Sequence, residues 1–261
     1  MRRSIRALVA ATGLAVLGGV AGCAGGSGAA DVAFAHVSGD VVVTPVGAGD
    51  TATLVLVAPP GNAVWEQIDE LHVVNDAADG AAMVFVPGTD ELEPGERHGG
   101  VRFGSISVDV PEDTSEMELS TVKLRVGDSA DLVSYDVGDW RMTRSASDPG
   151  LRALDTYPGV QSCSSVRFDV EDVNGEDFEV LDVTTAAPGL GFVNVDVRPQ
   201  AGGVTSIEFD LDCDDAYDLY TFSPRLSVDR NGDVQEEAFL PITVGTSELA
   251  SDEVIARILE R

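Results

Sequence analysis

Basic charge is what this sequence lacks. Lys123 is its only lysine, and Lys and Arg together number 16 against 45 Asp and Glu, a formal net charge of −29 over 261 residues. Such a surface repels itself, and added salt screens the repulsion. Nucleic acid and anionic lipid headgroups are poor partners for it, because both are gripped by clustered cations, whereas cations and basic protein patches suit it. Histidine is as scarce. His36, His72 and His98 lie far apart in the first half, and no H-E-x-x-H brings two of them to one helix face. No G-x-S-x-G elbow occurs, which removes the usual anchor of a Ser-His-Asp hydrolase. Cysteine is limited to Cys23, Cys163 and Cys213. The apolar run Ala7 to Ala21 is about 15 residues long, short of the about 20 that a bilayer core requires.

That short run is preceded by Arg2, Arg3 and Arg6 and ends in small residues, the pattern of an export signal. Its exit, Val20-Ala21-Gly22-Cys23, resembles the lipobox of prokaryotic lipoprotein precursors. The resemblance implies that the Cys23 thiol is acylated and that residues 1–22 are cut away as a signal peptide. The opening "RRSIRAL" is also similar to a twin-arginine export signal, with Arg6 breaking its apolar pair, so the export route stays open. Cleavage would remove three arginines and no acid, deepening the negative charge by three. Residues 23–30, rich in Gly and Ala, read as a flexible tether. Two or three acyl chains, at about 0.8 kcal/mol per buried methylene, would hold the chain to the extracytoplasmic face of the cell membrane. The acid surplus with almost no lysine resembles proteins of salt-accumulating halophiles, and equally suits an acidic secreted protein.

Export places Cys163 and Cys213 in an oxidising space, where a disulfide is the default; no His follows either at metal-ligand spacing. Strand signals dominate the rest. Alternating segments such as "TATLVLVA", "ELSTVKLRV", "SVRFDV" and "SIEFDLD" put apolar residues on one face and acids on the other, as in antiparallel sheets with one wet side. Asn174-Gly175, Ala201-Gly202-Gly203 and Asn231-Gly232 mark turns, and Asn-Gly is the strongest short hairpin signal. "TRSASDPGLRALDTYPG" loses the alternation. The expected organisation is a β-sandwich domain over 31–146, a linker over 147–159, a second β-sandwich domain over 160–246, and a helix over 247–261. The strand number and turn rhythm of the two halves resemble immunoglobulin-like sandwiches, so the fold class is all-β. No Trp lies between Cys163 and Cys213, which departs from a true immunoglobulin domain. In the tail, Val254, Ile255, Ile258 and Leu259 form a helical stripe with Ser251 as N-cap and Asp252 and Glu253 in the first turn. That helix is expected to pack on the second domain.

Chemistry-bearing patterns are few. Ser120 to Lys123, "STVK", matches the S-x-x-K of penicillin-interacting enzymes, but in an alternating strand residues three apart face opposite ways, and the K-T-G element is missing. A cupredoxin site would need a Cys followed closely by His and Met; Met83, Met117 and Met142 read instead as core or edge positions. Two acidic clusters are candidate cation ligands. Asp229, Asn231 and Asp233 resemble the start of a D-x-N-x-D calcium loop, with the Gly ahead of the third ligand instead of after it; the competing reading is a tight hairpin. Asp214, Asp215 and Asp218 fall in an expected loop and are candidates for weak cation binding or a solvated acidic rim. No cofactor is implied beyond Ca2+ or another cation at these clusters. The sequence points to a membrane-tethered, non-catalytic surface module that binds an unidentified protein or cell-surface ligand. The alternatives are an envelope enzyme or transport accessory with a carboxylate site between the domains, or a structural envelope component stabilised by salt or cations.

Overall fold

A computed structural model describes residues 31–45, 51–78, 81–85, 92–98, 100–126, 131–154 and 162–261. The expected export signal, lipobox Cys23 and tether lie outside these residues, as does the side chain of Met83. The chain is mostly strand. The first half carries β1 (Ala33–Phe34), β2 (Val37–Val43), β3 (Thr51–Ala58), β4 (Ile68–Asn75), β5 (Ala81–Phe85), β6 (Leu92–His98), β7 (Val101–Asp109), β8 (Glu116–Val126) and β9 (Val133–Arg144). The second carries β10 (Leu151–Ala153), β11 (Ser165–Asp172), β12 (Glu179–Thr184), β13 (Leu190–Pro199), β14 (Val204–Cys213), β15 (Leu219–Phe222), β16 (Arg225–Arg230), β17 (Asp233–Ala238) and β18 (Ile242–Val244), then the helix α1 (Asp252–Glu260).

Four sheets result, in the orders β1-β3-β7-β6, β10-β11-β14-β13, β12-β16-β17 and β18-β15-β2-β9-β8-β4-β5. The last has seven strands and runs across both halves. Its joint is β2, which pairs in parallel with β9 on one side and with β15 on the other. Every residue of β2 is buried, the condition expected of a strand flanked by parallel neighbours and covered on both faces. Period-two alternation then divides neighbouring residues between two interiors. Val37, Val41 and Val43 enter one core, with β3, β7, β8 and β9, while Ser38 and Asp40 turn toward the second half. On β15, Leu219 enters that first core and Tyr220 and Phe222 enter a second, with Phe209, Leu226 and Val228.

Two glycines make the joint possible. Gly39 of β2 sits opposite Trp140 of β9, and a Cβ there would lie 2.6 Å from the indole ring. Gly138 has φ +89°, and a Cβ would lie 2.3 Å from the Val37 carbonyl oxygen.

Several expectations from the sequence hold locally. Asn231 and Gly232, at φ 58° and 89°, form the two-residue turn between β16 and β17. Residues 200–203 turn β13 into β14. Met117 and Met142 are core residues. Leu151 joins the second core, whereas Leu154 is exposed.

Two expectations are corrected. Asn174-Gly175 does not close a hairpin: β11 and β12 belong to different sheets, and the turn carries the chain from one to the other. The helix does not seat its stripe on the second half. Val254, Ile255 and Ile258 belong to the first core, beside β1 and β3. Ser251 caps it as expected, accepting the Val254 N–H at 3.3 Å.

Candidate functional site

The halves meet along β2, whose Asp40 the alternation turns across the seam, and the buried acids on this side are answered by arginines. Asp40, 1 % exposed, receives the Nε–Nη2 edge of the Arg225 guanidinium: Nη2 donates to both carboxylate oxygens at 2.8 Å and Nε to one of them at 3.2 Å. Asp172 of β11 accepts Arg230 Nε at 3.0 Å and the backbone N–H groups of Asn174 and Glu176 at 2.8 and 3.1 Å. Arg230 also pairs with Glu237, whose other oxygen accepts the Leu151 N–H at 3.0 Å, pinning the segment between the halves onto the second core. Asp218 accepts Arg257 Nε at 2.8 Å, Arg261 Nη1 at 2.6 Å and the His36 backbone N–H at 2.8 Å. The helix thus places its stripe in the first core and its arginines on an acid of the second half. Fork-shaped guanidinium donors suit such two-oxygen contacts.

Titration follows the surroundings. Burial works to raise the Asp172 carboxyl, but the two backbone donors and Arg230 outweigh it and hold it below the ordinary 3.8. Its contribution to stability is therefore complete above pH 3.8 and is lost as pH falls through the lower folded value. The His36 ring is pushed below 6.5 by burial first and by Arg261 second, against Asp136, Asp218 and Asp139, which favour its charged form. Tyr220 is pushed up to about 12, chiefly by burial, while its hydroxyl donates to the Asp214 carbonyl at 2.5 Å.

Cys163 and Cys213 form a disulfide, with Cα atoms 6.3 Å apart, joining the lead into β11 to the end of β14. The candidate cation residues fall in two separate places. Asp229 spends an oxygen on the Gly232 N–H at 2.6 Å, Asp233 accepts from Gln235 at 2.7 Å, and Asn231 is a turn residue, so this trio serves the hairpin. Asp214 accepts the Ala216 N–H at 2.9 Å, Asp215 lies on the same exposed turn, and Asp218 is committed to its arginines. Among the described residues, no group of three or more His, Cys, Asp or Glu is placed to hold a metal ion. The histidines stay apart: His36 faces Asp136 at 3.5 Å, His72 faces Glu70 at 3.2 Å, and His98 faces Asp252 at 3.5 Å. Ser120 and Lys123 lie on β8, and the Ser120 hydroxyl donates to Asp76 at 2.7 Å.

Three clefts open along the seam. One of about 310 Å³ lies over the Arg230 cluster, between Thr44 and residues 145–150. Another, about 560 Å³, lies between Glu118, Ser120 and Arg141 of the first half and Ala186 and Pro188 of the second. The third, about 270 Å³, is walled by β3, β15 and β18 and contains no charged side chain; Thr51, Thr53, Thr221, Thr243 and Thr246 line it together with Trp140. Sequence reasoning missed the arginine pairs and the threonine cleft alike. The local signals were Asp40, an acid inside the otherwise small and apolar run "VSGDVVV", and Asp172, in phase with Val166, Phe168 and Val170 of β11.

No family model matches the chain. No curated protein matches it either. Among solved structures it is similar to a protein of unknown function from Porphyromonas gingivalis W83, at 13 % identity over 82 % of this chain and 96 % of that one, with a TM-score of 0.23. A likeness that low carries no argument about fold or function.

Proposed function

We propose that this chain is an exported lipoprotein, held to the extracytoplasmic face of the cell membrane through acylated Cys23, and that it acts as a non-catalytic binding module for a protein or cell-surface ligand. Its two cores are read as immunoglobulin-like sandwiches. One observation carries the non-catalytic part: each acid buried among the described residues, Asp40, Asp172, Asp218 and Glu237, is paired with arginine. An acid–base enzyme at the seam would need a buried carboxyl poised to exchange its proton, with a raised affinity for it. Here Asp172 is held the other way. The lipobox supports the anchor, and the joined sheet supports a stiff body fit to present clefts at the end of a tether.

Detergent phase partition of the full chain, expressed in a host that acylates lipoproteins, tests this reading. The protein should enter the detergent phase with Cys23 at its N-terminus and fatty acyl mass added, and Cys23→Ala should move it to the aqueous phase. A chain recovered from membranes with residues 1–22 intact and no acyl mass overturns the anchor.

A further inference from the structure

The threonine cleft differs from the rest of the surface in the one property this sequence makes hardest to obtain. A chain with 45 acids has built a recess of about 270 Å³ whose lining includes no ionisable side chain. Hydroxyls take the place of charge. Thr221 and Thr243, cross-strand partners on β15 and β18, have their Oγ1 atoms 3.2 Å apart, and Thr53 faces the cleft from β3. Val37 and Leu219 supply apolar wall. Trp140 lines the cleft as well; it is 3 % exposed, and its buried Nε1 donor has no hydrogen-bond partner. That donor is sealed from solvent and Trp140 also lines the second cleft, so the indole serves as a reporter beside the threonines and not as a contact.

We propose that this cleft binds a neutral sugar residue. The lining excludes the other classes in turn. A cation would find no carboxylate there and many elsewhere. An anion would meet the field of the whole chain with no basic group to receive it. A purely apolar molecule would bury the threonine hydroxyls without partners. A pyranose ring offers C–H faces to Val55, Pro241 and Leu249, the partly exposed apolar residues of the lining, and hydroxyls, each donor and acceptor at once, to the threonines. The cleft is just below the roughly 300 Å³ at which drug-sized sites begin, which suits one ring. This deepens the reading of the chain as a binding module and is independent of its tether.

The test uses the full chain with Trp65→Phe, so that Trp140, the other of its two tryptophans, is the sole indole reporter. It is purified in a detergent without a sugar headgroup and titrated with glucose, galactose, mannose and N-acetylglucosamine and their methyl glycosides, with glucuronate, glucosamine and cyclohexanol as controls. At least one neutral sugar should change the fluorescence saturably, at least tenfold more tightly than any control. Thr243→Val should weaken that sugar at least tenfold with circular dichroism unchanged; Thr53→Val stands in if that variant does not fold. Equal binding of the methyl glycoside would assign the ligand to the end of a glycan chain, and its loss to a free sugar. No response to any neutral sugar, equal binding of a control, or unchanged affinity in the threonine variant overturns the proposal. Partition into detergent together with absent sugar binding would remove this inference alone and leave the anchored module standing.

Discussion

Asp40 shows how much one residue can depend on another far away in sequence. Its carboxylate is buried and is answered by Arg225, 185 positions on. A buried pair of this kind adds little over an apolar replacement of both partners, yet removing one strands the other's charge. Arg225→Leu should therefore lower unfolding stability by about 3–5 kcal/mol, and Asp40→Leu combined with Arg225→Leu should cost less than that single change. Urea unfolding of the three proteins measures it; a double variant no more stable than Arg225→Leu alone would show that the pair is not the unit. Beyond the acid within the run "VSGDVVV", little of this was legible beforehand, because acids are so frequent in this chain that alternation assigns most of them to a wet face. Asp172 is an exception that alternation itself turns inward, in phase with Val166, Phe168 and Val170 of β11, and it is buried and paired. What identifies such a residue is its partner, and a partner is a tertiary fact.

At the scale of elements, local pattern was a better guide. The strands at "TATLVLVA", "ELSTVKLRV", "SVRFDV" and "SIEFDLD" form where period two places them, because alternation states which residues leave water whatever the sheet's partners are. The capped helix forms for the same reason, its stripe and its Ser251 cap both being contained within a dozen residues. Its destination was not contained there. An amphipathic stripe specifies that something must cover it and is silent about what. Because Ile258 is fully buried in the first core, Ile258→Ala should cost about 2–5 kcal/mol and should destabilise residues 31–144, not the second core alone. Hydrogen exchange of β1 and β3 amides reads the difference; protection lost only in β11 and β14 would place the helix elsewhere.

Over the whole molecule, the seven-stranded sheet and the returning helix join two cores that the sequence pattern assigns to separate domains on either side of a linker over 147–159. Thermal unfolding should accordingly show a single cooperative transition for the described body. Its midpoint should rise with sodium chloride, since screening relieves the self-repulsion of a net charge of −29. Differential scanning calorimetry in dilute buffer and in molar salt checks both; two resolved transitions would mean that the parallel β2–β15 pairing does not couple the halves.

The sequence by itself determined the all-β character, the places of most strands and turns, the capped helix and the cysteine pair, because each depends on periodicity, turn chemistry or a small count that a short window contains. Only the tertiary structure decided that β2 is shared between the halves, that the helix returns to the first core, that arginines neutralise the buried acids, and that threonines from three strands meet in one uncharged cleft. Those outcomes rest on contacts between residues up to 185 positions apart, and no local pattern encodes which distant surface a given face will meet.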